Sequence, residues 1–210
     1  MSIGEMTAEG LTIAGGDLVL IRDLDLHVRA GQITGIAGTS GSGKTSLLYA
    51  IGGLIPAAEG ELLVDGRPTT LWREVSCGLI FQNLCLVPML SAEETVGLPL
   101  QSRGMSRSEI TERSLHSLEA LGLADHHAQL VKNLSGGQRQ RVAVARALAG
   151  HPDVILADEP TSALDPHWRQ VVLDLLVAEA RRGAAVVVAS SDDEVTAICD
   201  ELIDLGGAAA

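Results

Sequence analysis

Three observations predict an α/β fold in which a mainly parallel sheet is covered by helices. Apolar runs such as Val154–Ala157 and Ala184–Ala189 lack polar alternation and are separated by a stretch of helical periodicity. Fully buried parallel strands and their crossover helices read this way. Hydrophobic residues make up 46% of the 210-residue chain and aromatic residues only 2%, which suits such a sheet better than an aromatic-rich β-sandwich. Lastly, the apolar run Ile33–Ala37, a glycine-rich stretch and an apolar-faced run Ser46–Ile51 read as strand, loop and helix. A chain of this length is expected to form one domain, or one core with a modest insert.

Taken in order, residues 1–10 read as a loose start. Leu11–Ile13, Leu18–Leu20 and Leu24–Val28 are short strand candidates, and together they suggest a small antiparallel sheet ahead of Ile33–Ala37. Glu61–Val64 with Asp65-Gly66 predicts a strand and turn. Cys77–Phe81 predicts a buried strand ending at Gln82. From about 90 to 132 the pattern is helical: Ser106 with Glu109 forms a capping box, Ile110, Leu115, Leu118 and Leu121 recur at helical spacing, and Gly122 is a stop. This segment reads as an insert between core strands. A helix from Pro166 carries Val171, Val172, Leu175 and Leu176 on one face and ends at Gly183, and Leu202–Leu205 is a last strand candidate. The tail 206–210 carries no signal.

The stretch Gly38-Thr39-Ser40-Gly41-Ser42-Gly43-Lys44-Thr45, followed by Ser46, fits the phosphate-binding pattern G-x-x-x-x-G-K-[ST] at every fixed position. Glycines let consecutive N–H groups face an anion, and the positive end of the following helix points at the same place. Lys44 supplies a full charge for β- and γ-phosphates, and the Thr45 hydroxyl is placed to ligate Mg²⁺. The chain has only two lysines, Lys44 and Lys132, so a lysine in this position by chance is improbable. A second element supports the first. Asp158-Glu159 ends a buried strand, where open α/β sheets bind ligands. Asp158 suits Mg²⁺, and Glu159 suits orientation or deprotonation of a water.

A third element, Leu134-Ser135-Gly136-Gly137-Gln138, opens a helix and makes a second anion site. With the loop at 38–45, Gln82, Val154–Glu159 and Ser162–Asp165 in this order, the chain resembles the ATPase subunit of ABC transporters from about residue 11 to 205. Phe81–Leu90 followed by Glu93–Val96 resembles the lipoprotein-releasing and macrolide-exporter branch. The resemblance implies a P-loop NTPase core (about 1–89 and 134–210), a helical subdomain (about 90–133), and ATP with Mg²⁺ as ligands. It implies two such subunits facing head to tail, with the phosphate loop, Asp158 and Glu159 of one meeting Ser135, Gly136 and Gly137 of the other. Gln82 is implied as a metal-sensing relay to an integral membrane permease subunit, and Asp165 as a link between the two sites.

The chain departs from the family pattern in two places. Ser191 stands where a histidine contacting the γ-phosphate is usual, and none of the six histidines can replace it by position. Ala14-Gly15-Gly16 stands where an aromatic residue usually stacks on the adenine. Stacking contributes ~1–3 kcal/mol, so weaker affinity and weaker base preference are expected. Two readings stay open: a hydrolysis-impaired subunit of a heterodimer, or a homodimer in which Ser191 suffices. A soluble, non-transport ABC ATPase is a third.

The net charge of −12 disfavours binding of nucleic acid or an anionic membrane through bulk charge, and no nucleic-acid partner is expected. Arg139, Arg141 and Arg146 read as a solvated face or as intra-domain pairs. Cys77, Cys85 and Cys199 form no Cys-x-x-Cys pair and read as small buried hydrophobes. The start lacks a basic and apolar leader pattern, and no apolar run approaches the ~20 residues that span a bilayer. The expected location is cytoplasmic, peripheral on the inner face of the cell membrane through a membrane subunit.

Overall fold

The computed structural model describes residues 3–16, 18–68 and 75–206. Two sheets organise it. The antiparallel sheet has the order β2-β1-β4-β5, from β1 (Glu5–Gly15), β2 (Leu18–Arg29), β4 (Glu59–Val64) and β5 (Arg67–Pro68). The parallel sheet has the order β6-β7-β8-β3-β9, from β3 (Ile33–Ala37), β6 (Cys77–Ile80), β7 (Val154–Asp158), β8 (Ala185–Ala189) and β9 (Glu201–Asp204). Helices α1 (Lys44–Ile51), α2 (Ala92–Ser102), α3 (Arg107–Ala120), α4 (Gly136–Leu148), α5 (Pro166–Arg181) and the short α6 (Asp193–Thr196) complete it.

The apolar runs are buried on both faces because the side-chain period of a strand is two. Val154, Leu156, Ala185, Val187 and Ala189 point into one apolar cluster with Leu47, Leu48 and Ile51 of α1 and the inner face of the antiparallel sheet. Ile155, Ala157, Val186 and Val188 point into the other, with α4 and α5. Ala92, Val96, Leu100, Leu118 and Leu121 join this second cluster, so the helical segment packs its apolar face against α4. Ser91 and Ser106 both close capping boxes, with Glu94 and Glu109. Gly122 has φ 65 and lies against Trp168.

Several expectations need correction. Residues 5–10 are strand, and Leu18–Arg29 is one continuous strand; register shifts between β1 and β2 broke the alternation that the sequence pattern relies on. The buried stripe of α5 is Val172, Leu173, Leu176 and Ala180, with Val171 and Leu175 only half-buried. Cys85 is exposed, not buried. The arginines of α4 bond within the domain, to backbone carbonyls, and among the described residues form no pair with a carboxylate. Arg139 donates to Leu134 O (2.8 Å), Arg141 to Leu121 O (2.7 Å) and Arg146 to Cys85 O (2.7 Å) and Leu84 O (3.0 Å). Tail residues 207–210 and the first two residues lie outside the described residues.

Candidate functional site: a phosphate-loop cleft

β3 ends at Ala37, and the chain turns through Gly38 (φ 151), Gly41 (φ 83) and Gly43 (φ 95) before α1 begins at Lys44. These φ values favour glycine, and at Gly38 a Cβ would come within 2.5 Å of Ser42 Oγ. The loop wraps its own lysine: Lys44 Nζ donates to Gly38 O (2.6 Å) and Thr39 O (3.0 Å). An ammonium has three donors, which leaves one for an anion in front of the helix. Ser42 Oγ is buried and has no hydrogen-bond partner among the described residues.

The C-terminal ends of β7 and β8 form the opposite wall, because parallel pairing sets Asp158 beside Ala189. Asp158 is 1% exposed and accepts from Thr45 Oγ1 (2.9 Å). Burial pushes its carboxyl above the usual carboxylate range; the Thr45 hydrogen bond opposes this, the neighbouring Glu159 adds to it, and Lys44 opposes it. Glu159 takes a left-handed backbone (φ 47), which turns its side chain toward the end of β8. There it accepts from Ser190 Oγ (2.9 Å), Ser191 N (3.0 Å) and Ser191 Oγ (3.2 Å). Gln140 Nε2 donates to the Glu159 and Pro160 carbonyls (3.2 and 2.8 Å) and so fixes the turn from α4.

A cleft of about 500 Å³ lies between these walls. Ser40, Gly41, Gly43, Lys44, Thr45 and Ser46 line it from the loop, and Gln82, Asp158, Glu159 and Ser191 line it from the strand ends. Leu20 and Ser162 also line it, and neither was anticipated. Leu20 is there because β2 folds back beside the loop, its Cβ 3.7 Å from where a Cβ on Gly43 would lie. Ala14, Gly15 and Gly16 are exposed at the end of the β1–β2 hairpin, and no aromatic side chain lines the cleft among the described residues.

Ser135, Gly136, Gly137 and Gln138 stand outside this cleft. Ser135 caps α4: its Oγ accepts from Gln138 N (3.2 Å), and Gln138 Oε1 accepts from Ser135 N (2.8 Å). A Cβ on Gly136 would meet nothing within 4 Å, so this turn has open space before it. The loop that follows Gln82 is held from the same helix. Arg146 grips the carbonyls of Leu84 and Cys85, both at left-handed φ (59 and 47), and its guanidinium lies 6.0 Å from the centre of the Phe81 ring.

Among the described residues no three His, Cys, Asp or Glu side chains cluster as a metal site, and no helix is long and apolar enough to cross a membrane.

The ABC transporter family profile matches residues 21–162. The lipoprotein-releasing system ATP-binding protein LolD of Bacteroides thetaiotaomicron is 36% identical over 206 residues, covering 94% of either chain. The ABC transporter ATP-binding protein YtrE of Bacillus subtilis is 39% identical, covering 87% of this chain and 83% of its own. The methionine import ATP-binding protein MetN 3 of Pectobacterium atrosepticum is 40% identical over 90% of this chain, which spans only 57% of that relative's length. The dimeric post-hydrolysis structure of the ATP-binding cassette MJ0796 bound to ADP and Pi superposes with a TM-score of 0.87 at 34% identity, covering 95% of this chain and 93% of that one. A phosphate loop facing an acidic strand end, with these relatives across nearly the whole chain, places the protein in the ABC transporter family as an ATP-binding cassette.

Proposed function

We propose that this chain binds and hydrolyses ATP as the motor subunit of a transporter, working as a dimer beside a separate membrane permease. The observation that carries the reading is the cleft itself, where Lys44, Thr45, Asp158, Glu159 and Gln82 converge on one volume that the Ser135 turn does not line. The triphosphate lies along the N–H groups of 38–46, with Lys44 on the β- and γ-phosphates. Glu159 takes a proton from a water whose oxygen bonds to the γ-phosphorus as the β–γ bridging bond breaks, giving ADP and phosphate.

Thr45 Oγ1, the buried Asp158 carboxylate and the Gln82 amide are hard oxygen donors suited to Mg²⁺, with nucleotide phosphates completing its shell. Bound there, the ion would offset charge on the β- and γ-oxygens. The open Ser135–Gln138 turn of a second copy closes over the γ-phosphate, so that ATP favours the closed pair and product release lets it open. In this scheme segment 90–133 moves against the core at 1–89 and 134–210, and Asp165 links the two sites. The permease docks beside the helical segment, near exposed Val87, Met89 and Leu98, and holds the chain at the inner membrane face.

Single-turnover hydrolysis by the wild type and Glu159→Gln tests the reaction. The reading requires turnover by the wild type and its loss in the variant, with ATP still bound. A wild type that binds ATP but does not turn over favours the hydrolysis-impaired subunit, whose support is Ser191 in place of histidine.

A further inference from the structure

We infer that Ser190, buried at the end of β8, is a positioning residue for Glu159, and that among the described residues the two serines together leave one open acceptor site on the carboxylate, at Oε2. The inference rests on the hydrolytic reading above.

Hydrogen-bond directions fix the assignment. Ser190 is 1% exposed, and its Oγ accepts from the backbone N–H of Asp192 at 3.1 Å. Its single proton therefore goes to Glu159 Oε2, 2.9 Å away. The Ser191 N–H and hydroxyl both donate to the other oxygen, Oε1, at 3.0 and 3.2 Å. An ionised carboxylate offers about four acceptor sites. Both on Oε1 are filled and one on Oε2 is filled, so the remaining site lies on Oε2, beside the Ser190 hydroxyl.

The backbone holds this fork in register. Ser190 N donates to Ile36 O (3.2 Å) on the strand that leads into the glycine loop, and Glu159 N donates to Ala189 O (2.9 Å). Ser190 thus ties the carboxylate to the strand that carries the phosphate loop. Glu159 itself sits at φ 47, a backbone setting that non-glycine residues seldom adopt and that needs surrounding support. A site assembled in this way orients its base without an imidazole at position 191.

The test is single-turnover ATP hydrolysis with equilibrium ATP binding for wild type, Ser190→Ala, Ser190→Cys and Ser190→Thr. The alanine and cysteine variants are expected to slow hydrolysis at least about tenfold with ATP affinity within about twofold of wild type, because the lost bond orients the base and does not hold nucleotide. Retained ATP binding also demonstrates that a variant is folded, and either variant alone suffices. Ser190→Thr keeps the hydroxyl and should recover the rate to within about threefold. An alanine variant as fast as wild type, a threonine variant as slow as alanine, or a loss confined to ATP affinity would overturn the inference while leaving the hydrolytic function intact. A wild type without turnover overturns the function first and this inference with it.

Discussion

Arg146→Ala probes how the cleft is joined to the helix that begins at Ser135. The guanidinium donates to Cys85 O at 2.7 Å and Leu84 O at 3.0 Å, and both residues have left-handed backbones. Hydrogen bonds from a charged donor are each worth about 1.5–3 kcal/mol. Two opposing effects reduce the total. Burial disfavours the cation, as its lowered pKa indicates, and a freed loop relieves about 1–2 kcal/mol at each left-handed residue. The net expectation is a loss of about 1–3 kcal/mol, or about 3–8 °C in Tm for a chain of this size. Gln82 lies two residues before Leu84 and lines the cleft, so turnover should fall about tenfold while ATP affinity changes little. Arg146→Lys keeps the charge but not the two-pronged geometry and should recover only part of either quantity. Thermal unfolding and single-turnover hydrolysis on the same preparations read both effects. Wild-type Tm and turnover in the alanine variant would mean that Arg146 does not hold this loop. The loop would then be held by its own bonds, Leu84 N to Phe81 O (2.8 Å) and Cys85 N to Asn83 O (2.6 Å).

Further expectations concern other parts of the chain. Gly122→Ala combines an unfavourable φ of 65 with a Cβ placed 2.1 Å from Trp168 Cη2. It should cost about 2–5 kcal/mol and lower Tm by about 5–15 °C, and an unchanged melting curve would contradict the packing described. Thiol labelling of the native protein at pH 8 should modify the exposed Cys85 first. Burial pushes the Cys77 and Cys199 thiols up to about 12 and about 11, so their reactive thiolates stay scarce until the pH rises toward those values or the chain unfolds. Rapid labelling of all three thiols at pH 8 would count against this. Leu20→Ala removes an apolar wall of the cleft and should weaken nucleotide binding about three- to tenfold with little change in the rate of the bound complex, as titration calorimetry and single-turnover assays can measure.

The parts of the molecule that were legible in the sequence are those governed by local chemistry. The glycine loop at 38–45, the capping box at Ser106, and the buried runs Val154–Ala157 and Ala184–Ala189 are all specified within a few residues of chain. The continuity of β1 and β2 was not legible, because register shifts around Leu11 and Ile13 interrupt the alternation that marks a strand. Leu20 enters the cleft only because a hairpin returns it to the loop. The contact between Ser190 and Glu159 joins residues 31 apart through parallel strand pairing. Asp158 at the end of one apolar run and Ser190 at the end of another were the available signal: adjacent parallel strands bring their C-terminal ends to one edge. For the arginines of α4 only the bonding within the domain was legible. The carbonyls that accept from Arg141 and Arg146 belong to Leu121 and Cys85, 20 and 61 residues away, which charge patterning does not register.

A triphosphate gripped between the cleft of one copy and the Ser135 turn of another should hold two copies together. Light scattering of the Glu159→Gln protein with ATP and then with ADP reads this as a mass in solution. The mass should double with ATP alone, and adding Ser135→Arg or Lys44→Ala to the same chain should abolish the doubling. A protein that stays monomeric with ATP bound, or that pairs equally well with arginine at position 135, would contradict that grip.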